Sequence, residues 1–298
     1  MNTTTKKKGF LPSKRRLIQL FAALLYNAHL KGFITGEIYT GKVKAVCVPG
    51  FNCYSCPGAA GACPLGSLQN ALSASGHRAG FYVFGIIMLY GLILGRTICG
   101  FLCPMGLIQE LLFKIPVPKL KKNRFTRLLS YLKYFILIVF VIIIPLRYAL
   151  QSFPIPAFCK YICPAGTLEG AVGLLANPIN ESRLSMLGML FTKKFIILVL
   201  TFLACMFLYR PFCRFLCPLG AIYGFFAKTA FTGIQTDQTA CTMCGRCVQV
   251  CRMDIRHVGD HECIHCGECI SKCPENAIRF KGGRPVLHGP MIHNAQGK

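Results

Sequence analysis

Eight cysteines near the C-terminal end of this chain fall into two successive runs with the same spacing, C-x2-C-x2-C-x3-C. The runs consist of Cys241, Cys244, Cys247 and Cys251, and of Cys263, Cys266, Cys269 and Cys273. Three thiolates on one tight loop can bind three irons of a cubane cluster, and the fourth iron needs a ligand from elsewhere in the fold. This is the spacing of two-cluster ferredoxins, in which the last cysteine of each run completes the cluster of the other run. The pattern therefore predicts a small α+β domain over residues 234–284 that folds around two 4Fe–4S clusters.

The crossed arrangement assigns four ligands to each cluster. We expect the first cluster to be bound by Cys241, Cys244, Cys247 and Cys273, and the second by Cys263, Cys266, Cys269 and Cys251. Structural zinc is the alternative for C-x2-C pairs, but eight cysteines in tandem at this spacing favour clusters. Arg252 stands where a proline usually follows the first run, which alters one turn and removes no ligand. The expected role is electron transfer.

The remainder of the chain is too apolar for a soluble ferredoxin. Of the 298 residues, 53% are hydrophobic and 15% are charged, against about 25% charged residues in an average soluble domain, and the mean hydropathy is +0.49. A helix needs about 20 apolar residues to cross a bilayer, and four stretches approach that length: 17–36, 81–102, 128–147 and 194–213. We therefore predict an α-helical membrane protein with four transmembrane helices and a C-terminal α+β two-cluster ferredoxin domain.

The predicted organisation has four parts. A basic cytoplasmic N-terminus (1–16) precedes the four-helix transmembrane domain (17–233), which is followed by the ferredoxin domain (234–284) and a flexible C-terminal tail (285–298). No small-residue cleavage site follows the first apolar stretch, so we expect that stretch to remain as an anchored helix.

The charge distribution predicts the orientation in the cytoplasmic membrane. The formal net charge is +24, and residues 234–298 hold eight Lys/Arg and six Asp/Glu, so almost all of the excess lies before residue 234. Basic clusters beside apolar spans mark the cytoplasmic side, which places both termini of this multi-pass chain in the cytoplasm. Lys193 and Lys194, at the outer end of the fourth stretch, argue the other way. Nucleic-acid binding is the alternative for such a charge, but apolar spans between the basic clusters argue against it.

The transmembrane part contains a parallel internal repeat. Each half has an outer Cys-Pro-x-Gly element, at 63–66 and 163–166, and an inner C-x3-C-P-x-G element, at 99–106 and 213–220. Proline at the first helical position places the preceding cysteine at a helix N-terminus, where the helix dipole favours a thiolate. We expect like elements to meet on each face of the membrane.

On the inner face the repeat supplies four thiols, the number that a third iron–sulfur cluster needs: Cys99, Cys103, Cys213 and Cys217. Arg96, Arg210 and Arg214 stand nearby in the sequence and would offset the negative charge of a cluster. The alternatives are small packing residues at helix ends, a metal ion or a disulfide.

The outer face is the candidate location of a fourth cluster, with ligands drawn from Cys53, Cys56, Cys63, Cys159 and Cys163. Together with Cys47 these exceed the need of one cubane, so two thiols are surplus or form a disulfide, which is allowed outside the cytoplasm. Cys205 lies within the fourth stretch and is expected to pack. His29 is a candidate quinone ligand, since it is the one histidine in a predicted span, and a satisfied polar contact is the alternative.

Four apolar helices, inner C-x3-C-P elements and a C-terminal two-cluster ferredoxin together resemble the NapH and NosR type of membrane ferredoxin over roughly residues 80–275. The resemblance implies electron transfer across or along the cytoplasmic membrane between quinol, iron–sulfur clusters and an extracytoplasmic flavoprotein or reductase. The outer cysteine-rich loop at 47–63 and the C-x3-C-P at 159–163 depart from the family pattern.

We therefore predict a membrane conduit that carries electrons between the cytoplasmic ferredoxin clusters and a membrane or extracytoplasmic partner. The alternatives are a quinol dehydrogenase subunit and a metal-reduction or assembly factor for a metalloenzyme. The chain has no Walker A loop, no strand–GxGxxG–helix unit and no hydrolytic constellation. We expect a component of an oxidoreductase system rather than a stand-alone catalyst.

Overall fold

The structure is a computed structural model that describes residues 10–73, 78–120, 122–151, 155–180, 182 and 187–281. The first nine residues of the predicted basic N-terminus and the whole predicted tail at 285–298 lie outside the described residues.

The described chain is mostly helical. The helices run over Phe10–Tyr26 (α1), Lys31–Thr35 (α2), Pro64–Ser73 (α3), Arg78–Ile93 (α4), Thr97–Phe101 (α5), Pro104–Leu112 (α6), Arg124–Ala149 (α7), Ala157–Tyr161 (α8), Gly166–Leu175 (α9), Met189–Phe207 (α10), Pro218–Phe225 (α11) and Arg246–Val250 (α12). Short 3-10 turns occupy Lys42–Ala45 and Ile270–Lys272. The hydrogen bonding is of π type over Leu137–Ile143 in α7, over Gly166–Val172 in α9 and over Phe212–Leu216.

Among the described helices, α7 and α10 are long and apolar enough to cross a membrane. They contain 26 and 19 residues, with mean hydropathies of 2.4 and 2.0, and they correspond to the predicted spans 128–147 and 194–213. The other two predicted spans correspond to shorter helices, α1 with 17 residues and α4 with 16. The chain turns after Tyr26, where the Asn27 side chain donates to the carbonyls of Ala23 and Asn52.

Helix α4 ends at Ile93, although the apolar stretch in the sequence predicted a span that continues to residue 102. Gly95 adopts a left-handed φ of +50°, and its N–H donates to the Tyr90 carbonyl. A Cβ at this position would lie 2.7 Å from the Ala230 Cβ. Glycine is therefore required both by the conformation and by the close approach, and the turn leads into α5, which contains Cys99.

The core of the helical part that precedes residue 234 is built around cysteines. One buried cluster includes cysteines from all four Cys-Pro elements together with Phe51, Leu65 and Phe158. Large apolar side chains on α1, α4, α7 and α10 are instead exposed, among them Phe21, Phe81, Phe135 and Leu200. The helices thus bury their polar and thiol groups against one another and present an apolar outer surface.

Residues 234–281 form a compact unit beside the helices. Strands Ile234–Thr236 (β1) and Ile278–Phe280 (β2) pair antiparallel, with Ile234 opposite Phe280 and Thr236 opposite Ile278. The two cysteine runs lie between these strands, so the short sheet closes the segment that contains them.

Three acidic side chains attach this unit to the helices through ion pairs. Glu262 pairs with Arg96 and Lys133, Asp254 with Arg127 and Arg214, and Glu268 with Arg15. The pairs of Glu262 are buried, and breaking one partner of a buried pair is costly because the remaining charge is left buried.

Candidate iron–sulfur sites

Each Cys-Pro-x-Gly element places a thiol at the beginning of a helix. Cys103 and Cys217 have extended backbones immediately before α6 and α11, and a proline fills the first helical position in both. The Gly220 N–H donates to Cys217 Sγ at 3.3 Å, and the Gly166 N–H donates to Cys163 Sγ at 3.2 Å. The local sequence thus makes a thiol the N-terminal cap, in the place that a hydroxyl or carboxylate usually takes.

The structure brings together the four inner thiols of the predicted third cluster. Cys99, Cys103, Cys213 and Cys217 line one enclosed pocket together with Arg96, Phe51 and Tyr223. Burial, with the neighbouring thiols Cys213 and Cys99, raises the pKa of Cys103 to about 12. A thiol that binds a metal must give up this proton, so metal binding at these cysteines releases protons.

Two buried arginines provide the positive charge that an anionic cluster needs. Arg96 lines the pocket, and Arg210 donates to the Cys99 carbonyl at 2.5 Å while pairing with Glu110 at 2.7 Å. The Nε atoms of Arg96 and Arg210 are buried and have no hydrogen-bond partner among the described residues. Arg214, also expected here, pairs with Asp254 instead. The four thiols, together with two buried arginines whose Nε groups lack a hydrogen-bond partner, fit a bound iron–sulfur cluster.

On the outer side the structure selects four thiols from the predicted five. Cys53, Cys63, Cys159 and Cys163 line a second pocket with Lys160 and Lys194. A Cβ on Gly166 would lie 3.6 Å from Cys163 Sγ and 3.9 Å from Cys53 Sγ, so two sulfurs approach the bare glycine backbone. Cys56 is buried but is not among the residues that line this pocket. This arrangement also fits a cluster, with one ligand from each of four chain positions.

Phe51 forms part of the wall of both pockets. Its ring makes edge contacts with the rings of Phe158, at 6.4 Å, and Phe212, at 5.4 Å, which directly precede Cys159 and Cys213. The inner and outer pockets therefore share one aromatic side chain. Sequence analysis missed this residue, and its one sequence signal is its position next to the outer cysteine loop.

A buried carboxyl group lies at the outer pocket. Glu169 Oε2 accepts the Cys53 backbone N–H at 2.6 Å. Burial raises the pKa of Glu169 to about 7, although the hydrogen bond from Cys53 acts in the opposite direction. Glu169 fixes the backbone of the loop that carries Cys53.

The two ferredoxin loops share one backbone conformation. Met243 and His265, each just before the second cysteine of its run, have positive φ angles of 53° and 51°, and Gly245 and Gly267, just after it, have φ angles of 70° and 80°. All four thiols expected for the first cluster line one open pocket: Cys241, Cys244, Cys247 and Cys273. In the other group, burial raises the pKa of Cys269, and the nearby thiols Cys263, Cys266, Cys251 and Cys247 act in the same direction. The crossed assignment of ligands to the two clusters stays a prediction.

The second ferredoxin loop lies directly against the inner pocket. Cys251, Cys263 and Cys266 belong to an apolar cluster that also contacts Cys99. A Cβ on Gly100 would lie 2.3 Å from the Ile264 carbonyl oxygen. The backbone between Cys263 and Cys266 therefore rests on the bare backbone between Cys99 and Cys103.

His29 is placed away from both thiol pockets. Its Nδ1 lies 3.3 Å from the Pro57 carbonyl oxygen, and its ring lies 4.7 Å from the Tyr39 ring. His29 thus has protein contacts at its Nδ1 and on its ring face. A role in quinone binding stays a prediction.

Comparisons with known proteins agree with these sites. A family profile described as a 4Fe-4S binding domain matches this chain three times, at residues 77–123, 133–179 and 195–233, and a second profile of the same description matches residues 259–279. Each of the three matches contains one Cys-Pro element, at Cys103, Cys163 and Cys217, and the element at Cys63 lies before the first match.

The relatives found by sequence are named as electron-transport and ferredoxin-type proteins, or have no assigned role. The chain is 31% identical to protein MJ0750 of Methanocaldococcus jannaschii over 65% of this chain and 76% of that protein. It is 25% identical to the putative electron transport protein YccM of Escherichia coli over 74% of this chain and 61% of that protein. It is also 25% identical to the ferredoxin-type protein NapH of Escherichia coli over 72% of each. No solved structure matches this chain. With its cysteine sites and these relatives, the chain belongs to the NapH-like family of 4Fe–4S ferredoxin-type electron-transfer proteins.

Proposed function

We propose that this protein is a membrane-spanning electron conduit between a cytoplasmic redox partner and an extracytoplasmic one. The observation that carries the proposal is the unbroken succession of thiol groups, in which the inner and outer pockets share Phe51 as a wall. A bilayer core is about 30 Å thick, and two sites confined to opposite surfaces would be too far apart for rapid exchange. Because the two pockets share Phe51, clusters bound in them would be much closer together than two sites on opposite membrane surfaces.

The proposed ligands form four groups. They are Cys241, Cys244, Cys247 and Cys273; Cys263, Cys266, Cys269 and Cys251; Cys99, Cys103, Cys213 and Cys217; and Cys53, Cys63, Cys159 and Cys163. A bound cluster supplies a one-electron donor and acceptor whose potential depends on burial, hydrogen bonds to sulfur and nearby charge. Three of the four thiols of the inner group, Cys103, Cys213 and Cys217, are buried.

The first junction in the series lies between the ferredoxin unit and the inner pocket. Ile264 packs against Gly100, and Cys99 contacts the apolar cluster that holds Cys263. The ion pairs of Glu262 with Arg96 and Lys133 clamp the same contact, and Arg96 itself lines the inner pocket. Arg96 and Cys99 thus belong both to the docking contact and to the inner pocket, which keeps this junction short.

The membrane assignment rests on the helices. Helices α7 and α10 are long and apolar enough to span, and α1 and α4 also present large exposed apolar side chains. We propose that all four cross the membrane, with the two shorter ones continued by the turns that follow them. The basic excess before residue 234 then places the ferredoxin unit in the cytoplasm. The outer pocket, flanked by Lys160 and Lys194, faces the extracytoplasmic partner.

The relatives named as electron-transport and ferredoxin-type proteins support redox partner proteins for this chain. We assign no quinone role to His29, because its ring already contacts Tyr39 and Pro57.

Reconstitution of the full chain in liposomes tests the conduit. A membrane-impermeant one-electron reductant is added outside vesicles that contain a trapped redox dye, and Cys63→Ala is compared with Cys47→Ala. Cys47 is a buried outer cysteine that lines neither thiol pocket. The wild-type chain and Cys47→Ala are expected to reduce the dye, whereas Cys63→Ala is expected to accept electrons in its ferredoxin unit and leave the dye oxidised. A wild-type chain that never reduces the dye, or a Cys63→Ala variant that reduces it normally, would refute the conduit.

A further inference from the structure

Two buried glutamines occupy equivalent positions in the first half of the internal repeat. Gln69 and Gln109 each stand six residues after the cysteine of a Cys-Pro-x-Gly element, Cys63 and Cys103 respectively. Both side chains are completely buried. A buried amide is costly unless its hydrogen-bonding groups are satisfied, so the partners of these two side chains show what each position requires.

At the inner pocket the Gln109 amide is fixed by the protein backbone. Its Oε1 accepts the Phe212 N–H at 3.1 Å. Because a backbone N–H can only donate, this contact fixes which end of the amide is oxygen. The Nε2 group then donates to the Met105 carbonyl at 3.1 Å and to Cys213 Sγ at 3.0 Å.

At the outer pocket the Gln69 amide makes the same set of contacts. Its Oε1 accepts the Phe158 N–H at 2.9 Å. Its Nε2 donates to the Leu65 carbonyl and to Cys159 Sγ, both at 3.3 Å. In each pocket a glutamine from the first half of the repeat thus donates to the first cysteine of a C-x3-C pair in the second half.

The second half of the repeat has different side chains at the corresponding positions, and they bond to the backbone. Six residues after Cys163 stands Glu169, which accepts the Cys53 N–H at 2.6 Å. Six residues after Cys217 stands Tyr223, whose hydroxyl donates to the Pro49 carbonyl at 3.0 Å. Each pocket therefore has a side-chain amide that donates to sulfur, and in both pockets the amide comes from the first half of the repeat.

We propose that Gln69 and Gln109 are positioning residues that hold one ligand sulfur in each pocket and raise the reduction potential of the cluster bound there. The inference rests on the proposed function, because it requires clusters on the inner and outer cysteines. An N–H aimed at a ligand sulfur stabilises negative charge on that sulfur, and it stabilises the reduced state more because that state carries one more electron. The two pockets would then be two copies of one potential-setting arrangement.

Redox titration of the full-length protein, followed by electron paramagnetic resonance, tests the proposal. The inner signal is defined as the one that Cys213→Ala abolishes, and the outer signal as the one that Cys159→Ala abolishes. Gln109→Leu is expected to lower the potential of the inner signal alone, and Gln69→Leu that of the outer signal alone. We expect a change of about tenfold in the reduction equilibrium, which corresponds to about 59 mV for one electron. Gln109→Glu keeps an acceptor for the Phe212 N–H but loses the donor to sulfur, so it should lower the inner potential further.

The outcomes separate the inference from the proposed function. If Cys213→Ala and Cys159→Ala both keep every signal and the full iron content of the wild type, the clusters proposed for the inner and outer pockets are refuted. If the signals are present and both leucine variants retain their potentials, the glutamine role is refuted while the conduit stands. Loss of iron from the inner pocket alone in Gln109→Leu, with the outer signal unchanged, supports the holding role. Resonance Raman iron–sulfur frequencies that are identical in Gln109→Glu and the wild type would overturn the role of Gln109 independently of any potential.

Discussion

Replacement of Gly100 by alanine should separate the ferredoxin unit from the inner pocket. The added Cβ would lie 2.3 Å from the Ile264 carbonyl oxygen and 3.5 Å from its carbon. Contacts under 3.0 Å are essentially never seen for a real Cβ, and the obstructing atoms belong to backbone, so the Cys263–Cys266 loop must withdraw. Gly85→Ala is the matched control, because a Cβ there meets nothing within 4 Å and Gly85 is also helical.

The comparison of these two variants isolates the clash. Each variant gains about 0.5–1 kcal/mol from replacing a helical glycine by alanine, and this gain cancels in the difference. Overpacking of a close contact costs about 1–3 kcal/mol. Since about 1.4 kcal/mol is a factor of ten in an equilibrium constant, the undocked population should rise by about fivefold to 150-fold. Amide hydrogen exchange of the loop that contains Ile264 measures this population directly.

In Gly100→Ala the amides of the Cys263–Cys266 loop should exchange about fivefold to 150-fold faster than in Gly85→Ala. Electron delivery from the ferredoxin unit to the inner pocket should fall. In Gly85→Ala both properties should remain at the wild-type level. Equal exchange protection in the two variants would show that the loop does not rest on Gly100. The argument for a short first junction would then fail.

Three further changes probe the other contacts. Cys53→Ser should remove iron from the outer pocket, whereas Cys56→Ser should retain it, because Cys53 lines the pocket and Cys56 does not; iron analysis that gives the opposite order would contradict the ligand selection. Glu262→Gln leaves Lys133 buried without its carboxylate and should weaken docking by about 3–5 kcal/mol, while the exposed Glu275→Gln should leave exchange protection of the ferredoxin loops unchanged. Chelation of iron under reducing conditions should abolish the protection of both ferredoxin loops, because metal binding supplies folding free energy to small domains of this kind; loops that stay fully protected after iron removal would argue against bound clusters.

The positive charge of the N-terminal part has a second role that composition did not reveal. Sequence reasoning interpreted its excess of Lys and Arg as a marker of membrane orientation. Several of these residues, including Arg96, Lys133 and Arg214, are buried and pair with Glu262 and Asp254 of the ferredoxin unit. The few acids of the chain are thus concentrated in the unit that docks. The charge asymmetry between the two parts holds them together as well as orienting the chain.

The apolar stretches predicted helices reliably and helix ends poorly. The third predicted span lies within α7, whereas the fourth overlaps α10 over residues 194–207 and continues beyond its end. The second was expected to reach residue 102, yet α4 ends at Ile93. The helix stops just before Gly95, which has a left-handed conformation and lies close to Ala230, more than 100 residues away in the sequence. A hydropathy pattern does not contain that contact.

The sequence by itself determined the chemistry of this protein, because the spacing of cysteines within one loop restricts which metal centre they can bind. The apolar stretches and the Cys-Pro elements are also local features, and local features can be identified without knowing the fold. Only the tertiary structure decided that Cys159 rather than Cys56 joins the outer pocket, that Phe51 lines both pockets, and that Gln69 and Gln109 donate to sulfur. The physical reason is sequence separation: the glutamine-to-sulfur contacts join residues 90 and 104 positions apart, and only the packing of the two halves of the repeat brings them together.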